Sequence, residues 1–148
     1  MRATTELDIV FERAPGLADR VRAALPADAR PDDVVALARR ILAGMSERER
    51  VAVLDAHPRI GAAPTTLSTL SLDEQGHANV ATRRELAALN DEYERTFGFR
   101  FVVWVNGRAQ TEIIPLLEER LRHTREQELA RGIEEFLAIT RDRLEKVR

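Results

Sequence analysis

The chain of 148 residues contains no cysteine. This excludes disulfides, thiol nucleophiles and thiolate metal sites, and it suits a reducing compartment. Lysine is nearly missing too. Lys146 is the single lysine in a total of 23 lysines and arginines, a pattern that reads as genome composition and not as function. The formal charge of −2 leaves no strong excess of either sign, and acidic and basic residues are interspersed. There is no basic stripe for nucleic acid and no basic amphipathic face for a membrane surface. No apolar run approaches the ~20 residues that a spanning helix needs. The opening Met-Arg-Ala-Thr-Thr-Glu-Leu-Asp lacks the apolar core of a signal peptide, and the closing Lys-Val-Arg carries no address, so the expected location is the cytoplasm. Glycines are scattered and never follow a predicted strand, which argues against a phosphate-binding loop. The three histidines have no second ligand at i+3 or i+4, so no metal site is expected. No nucleophile elbow for a catalytic serine is visible.

What the chain does have is helical periodicity over most of its length. A single domain, residues 1–148, is expected, large enough to fold without staples. Residues 1–14 are ambiguous. Leu17, Val21, Ala24 and Leu25 share a helix face that Pro26 ends. Pro31 suits the first position of a helix reaching Ala43, with Gly44 at its end. Ser46 and Glu49 form a capping box for a short helix running towards His57. A longer helix is expected from Ser71 to Phe97, stopped by Gly98. Phe99 to Val105 has the one strong β propensity, yet it has no partner strand. It reads as a buried extended segment or a core helix. Asn106-Gly107 is a turn. A helix follows from about Gln110 to Arg122, starting later if Pro115 is to lie in its first turn. Thr124 caps the last helix, which runs to about Val147.

The stretch from Asp55 to Gln75 departs from this pattern. Pro58 disfavours helical backbone at His57, so the imidazole sits at a helix C-terminus, where the dipole favours its cationic form by up to ~1 kcal/mol. Ser71, Glu74 and Gln75 then follow at i, i+3 and i+4. Each feature has a structural reading as well. His57 could simply bond the last carbonyls of its helix, and Ser71 with Glu74 could be a capping box. On the last helix, Arg143 lies at the edge of the stripe formed by Leu129, Ile133, Phe136, Leu137, Thr140, Leu144 and Val147. It either snorkels or has a buried partner. The residues alone describe an all-α domain with one unusual region.

Taken together, Asp55-Ala-His-Pro-Arg-Ile-Gly61, Ser71-Leu-Asp-Glu-Gln75, Leu89-Asn-x-x-Tyr93, Phe97-Gly-Phe-Arg-Phe101 and Arg143-Leu144 resemble the OHCU decarboxylase family. OHCU is 2-oxo-4-hydroxy-4-carboxy-5-ureidoimidazoline, a ureidoimidazoline of urate breakdown. The resemblance implies an all-helical fold, a homodimer, no cofactor and (S)-allantoin as product. It assigns His57 and Glu74 to catalysis. It assigns Pro58, Ser71, Gln75, Phe101, Val102 and Arg143 to substrate binding. Arg100 and Ala109 depart from it, where the family often has proline and a small hydroxyl residue. Two readings compete: a helical module presenting a groove to a partner protein, and a hydrolase or racemase acting on a related ureido or hydantoin compound.

Overall fold

Six α-helices make up the regular structure among the described residues, which are 7, 10, 11, 14, 16–60 and 80–146 of a computed structural model. In chain order they are α1 (Leu17–Ala24), α2 (Pro31–Gly44), α3 (Glu47–Asp55), α4 (Val80–Phe97), α5 (Gln110–Arg120) and α6 (Arg125–Lys146). No strand occurs among the described residues, and the fold is all-α as expected.

Local chemistry explains most of the boundaries. Leu25 is extended (φ −82°, ψ 129°) because Pro26 follows it, and α1 stops at Ala24. Pro31 opens α2, where its missing N–H costs nothing. At the start of α3 the Glu49 N–H donates to Ser46 Oγ and the Ser46 N–H donates to the Glu49 carboxylate, both at 3.1 Å. Thr124 and Gln127 repeat this pairing at the start of α6. Gly98, at φ 83°, closes α4 with its N–H on the Glu94 carbonyl.

α5 begins at Gln110, the earlier of the expected starts, and Pro115 lies in its interior instead of its first turn. The Asn106-Gly107 turn, with φ of 50° and 75°, and the Glu112 carboxylate, 2.9 Å from the Ala109 N–H, hold its start in place. Ala109 itself offers no capping oxygen.

α6 is the centre of the packing and contacts α2, α3 and α4, while α1 rests on α2 and α5 on α4. Its buried stripe includes Leu129, Ile133, Phe136, Leu137, Ile139 and Leu144. Leu7, Val10, Phe11 and Ala14 add to the same core, and the Phe11 and Phe136 rings stack at 6.2 Å. The close approach of α3 depends on Gly132, where an added Cβ would sit 3.0 Å from Leu54 Cδ1.

Residues 101–105 are extended, and the alternative of a core helix there is excluded. Phe101, Val102, Val103 and Val105 are buried, so their polar backbone needs partners. Side chains from elsewhere supply them. Arg120 donates to the Val102 carbonyl at 2.8 Å. The Glu135 carboxylate accepts from the Trp104 N–H at 3.1 Å. Arg108 donates to the carbonyls of Trp104 and Val105. A lone strand-like segment therefore persists inside a helical protein without a sheet.

Arg120 belongs to a buried ionic cluster behind this segment. Its guanidinium lies 4.5 Å from the centre of the Phe101 ring, and its Nε donates to Glu128 at 2.8 Å. The same carboxylate accepts from the Tyr93 hydroxyl at 2.6 Å and pairs with the His123 ring at 2.7 Å. Burial pushes the Tyr93 phenol well above its ordinary pKa.

Candidate active site

Two chain segments and one helix converge on a small cavity of about 30 Å³. The turn after α3 contributes His57, Pro58 and Ile60. The extended segment contributes Phe101 to Val105, and α6 contributes Ile139 and Arg143, one helical turn apart. Five of the eight residues assigned to a site by resemblance (His57, Pro58, Phe101, Val102 and Arg143) thus line one cavity. The other three, Ser71, Glu74 and Gln75, lie outside the described residues, as does the expected helix start at Ser71.

His57 follows the C-terminus of α3 as expected, its N–H on the Leu54 carbonyl at 3.1 Å. The side chain is only 5% exposed and meets the Phe136 ring edge-on at 5.4 Å. Its Nε2 is buried with no hydrogen-bond partner among the described residues. Nε2, at least, bonds none of the last carbonyls of the helix. The dipole argument for a cationic imidazole fails. Burial, and then the charges of Arg143 and Arg100, lower its pKa to about 3. Desolvation of a cation costs several times what a helix terminus returns. The group is therefore a neutral imidazole at any ordinary pH.

Arg143 does not snorkel. It is completely buried, and it is the bulkiest such side chain among the described residues. Nη1 donates to the Val10 carbonyl at 3.4 Å. Arginine keeps its charge when buried and presents a planar fork of donors. The cavity therefore combines a neutral proton acceptor with a fixed cation between apolar walls.

The sequence reading did not assign the remaining lining to a site, although propensity and helical spacing carried a signal for part of it. Val103, Trp104 and Val105 lie in the β-prone stretch, and Ile139 falls four residues before Arg143 on the same helical face. Ile60 carried no signal beyond its place in the motif. A larger open groove of about 410 Å³ lies between α2, α3 and α6. Most of its charges are already engaged, Arg39 with Glu134, Glu47 with Arg125, and Arg50 with the Met45 carbonyl. The smaller cavity is where the chemistry concentrates.

The OHCU decarboxylase family model matches residues 1–145. The chain belongs to the OHCU decarboxylase family. Among relatives, a uric acid degradation bifunctional protein of Bacillus sp. (strain TB-90) is 33% identical over 107 residues, covering 69% of this chain and 21% of that protein. The 2-oxo-4-hydroxy-4-carboxy-5-ureidoimidazoline decarboxylase of Haloferax volcanii is 26% identical over 140 residues, covering 91% of this chain and 82% of the relative. The chain spans less than a third of the length of the bifunctional Bacillus relatives that it matches. A crystal structure of OHCU decarboxylase in the presence of (S)-allantoin shares the fold, with a TM-score of 0.78 at 23% identity over 97% of this chain and 98% of that one. No helix among the described residues is long and apolar enough to cross a membrane.

Proposed function

We propose that this chain decarboxylates 2-oxo-4-hydroxy-4-carboxy-5-ureidoimidazoline to (S)-allantoin, without a cofactor, in the cavity between His57 and Arg143. The observation that carries the reading is the buried His57 Nε2, without a partner among the described residues, on a residue that lines the same small cavity as a fully buried arginine. Losing CO2 leaves an electron pair on the carbon that bore the carboxylate. The neighbouring ring C=N of the substrate can accept that pair, so neither pyridoxal, thiamine nor a metal is needed. The adjacent ureido-bearing carbon must then gain a proton on one face, and the hydroxyl must lose one as the ring carbonyl forms. In sum, the carboxylate and one proton become CO2 and allantoin.

A neutral imidazole suits the first half of that exchange. It can accept the hydroxyl proton and return one to carbon. We assign this role to His57, with Glu74 fixing its tautomer or sharing the transfer. Arg143 would bind the anionic or carbonyl edge of the substrate. Ser71 and Gln75 would hydrogen-bond its amides, and Pro58, Phe101 and Val102 would close the pocket. The apolar walls exclude water and strengthen each charge interaction inside. We read residues 1–148 as one such catalytic unit, working in the cytoplasm as a homodimer. The homodimer rests on the resemblance, and sedimentation across a range of concentrations tests it.

The test is circular dichroism at an allantoin band, with substrate generated in place from urate by purified upstream enzymes. Fast, one-handed (S)-allantoin is expected, and a slow racemic signal refutes the reading. His57→Asn and Glu74→Gln should each cost orders of magnitude in rate. Measuring released CO2 in parallel separates the decarboxylase from a hydrolase or racemase. A partner-binding module is disfavoured by the surface, since Val80 is the one large exposed hydrophobic among the described residues.

A further inference from the structure

Arg100 stands where the extended segment begins, and its bonds run to the turn that carries His57. Its backbone N–H donates to Asp55 Oδ1 at 2.9 Å. Its Nη1 donates to the Asp55 carbonyl at 2.8 Å and to the His57 carbonyl at 2.6 Å. These carbonyls lie at and just beyond the C-terminus of α3, where a helix has no partners of its own for its last carbonyls. A cation there is favourable as a cap. The bonds also do something a cap alone does not. They run both ways between the two segments that supply facing walls of the cavity. Asp55 holds the backbone of the extended segment, and Arg100 holds the backbone of the His57 turn.

We propose that Arg100, together with Asp55, is a positioning residue that fixes the His57 imidazole relative to the wall formed by residues 101–105. The proposal rests on the reading of His57 as the acid/base group. Its N–H is already tied to the Leu54 carbonyl, and Pro58 restricts the backbone after it. The Arg100 bond to the His57 carbonyl immobilises the remaining free peptide plane. The Cα–Cβ direction then follows, and with it the reach of Nε2 into the cavity. Such placement matters because a displacement of about 1 Å at a reacting group can cost ~100-fold in rate. The charge of Arg100 also bears on His57 after burial and Arg143, and it favours the neutral ring.

The test compares Arg100→Met, which keeps the apolar stem and removes the donors, with Arg100→Lys, which keeps a cation able to donate. Allantoin formation gives kcat and KM separately, and urea unfolding gives stability. Arg100→Met is expected to lower kcat by about 10- to 100-fold with KM within about two-fold, and Arg100→Lys to recover most of the loss. A wild-type kcat in Arg100→Met overturns the proposal, as does an equal loss in both variants. Should Arg100→Met fail to fold, Asp55→Ala removes only the acceptor on the Arg100 N–H, and an unchanged kcat there overturns it equally. His57→Asn separates the two ideas. If it turns over like wild type, the role of His57 falls and the positioning proposal falls with it. If it is inactive while Arg100→Met is fully active, only the positioning proposal falls. A second readout does not depend on turnover. The His57 ring signal in NMR is expected to be single and sharp in wild type and Arg100→Lys, and shifted or multiplied in Arg100→Met. An unaltered signal in Arg100→Met refutes the latch even if the substrate were misassigned.

Discussion

Replacing His57 by asparagine should make the protein less sensitive to acid, and the size of the effect follows from the burial of the ring. In the unfolded chain the imidazole titrates near 6.5, whereas in the folded protein its pKa is lowered to about 3. At neutral pH both states hold the neutral ring, and the histidine imposes no titration cost. As pH falls below the unfolded value, the unfolded chain takes up a proton that the folded chain refuses. Stability then declines by about 1.4 kcal/mol per pH unit until the folded value is reached. Between pH 7 and about pH 4.5 the loss from this one group comes to about 2.5 kcal/mol. With a urea slope of roughly 1–3 kcal/mol/M, that is about 0.8–2.5 M in the unfolding midpoint. Carboxylates elsewhere titrate over the same range, but they do so in both proteins and cancel in the comparison. The assay is urea unfolding of wild type and His57→Asn at the two pH values. Wild type should lose about 2.5 kcal/mol more than the variant. Parallel losses, within about 0.5 kcal/mol, would show that the ring is not held neutral and would remove the base-first role proposed for it.

The buried cluster offers a second test: Glu128→Ala leaves the Arg120 charge and the Tyr93 hydroxyl without their acceptor and should cost about 3–5 kcal/mol in urea unfolding. Glu134→Ala, which breaks the exposed pair with Arg39, should cost at most about 1 kcal/mol in the same experiment. Pro115→Ala restores an N–H to the exposed interior of α5 and should raise stability by about 1–3 kcal/mol, seen as a higher melting temperature. Ala109→Ser supplies the missing N-cap oxygen at the start of α5 and should add about 1 kcal/mol, read from the urea midpoint.

Features carried by neighbouring residues were legible in the sequence. Ser46 and Glu49, Gly98, Pro26 and Pro31 act within a few residues of themselves, and each boundary they imply is present. The His57-Pro58 pair placed the imidazole at a helix end for the same reason. The apolar stripe of α6 showed that Arg143 was out of place, although only the fold shows it to be fully buried. What could not be read was whatever depends on partners distant in the chain. The extended state of residues 101–105 is maintained by Arg120 and Glu135, which propensity cannot connect to it. The charge state of His57 was misjudged because the dipole is a local property, while burial beside Arg143 and Arg100 is not. Arg100 looked like a loop variation, and its bonds to Asp55 and His57 span 45 and 43 positions. Ser71, Glu74 and Gln75 lie outside the described residues, and their placement is a matter for the site variants above.

The side chains that support the extended wall also set when that wall can form. Arg100, Val102 and Trp104 are held by groups 45, 18 and 31 positions away. Each of those bonds needs its own loop closed first, and all three exist together only once α3, α5 and α6 have gathered around the segment. The cavity is therefore a late product of folding. Substitutions along residues 101–105 should leave the folding rate nearly untouched and act through faster unfolding. A chain that has just collapsed onto its core would carry its helices before it carried a working pocket.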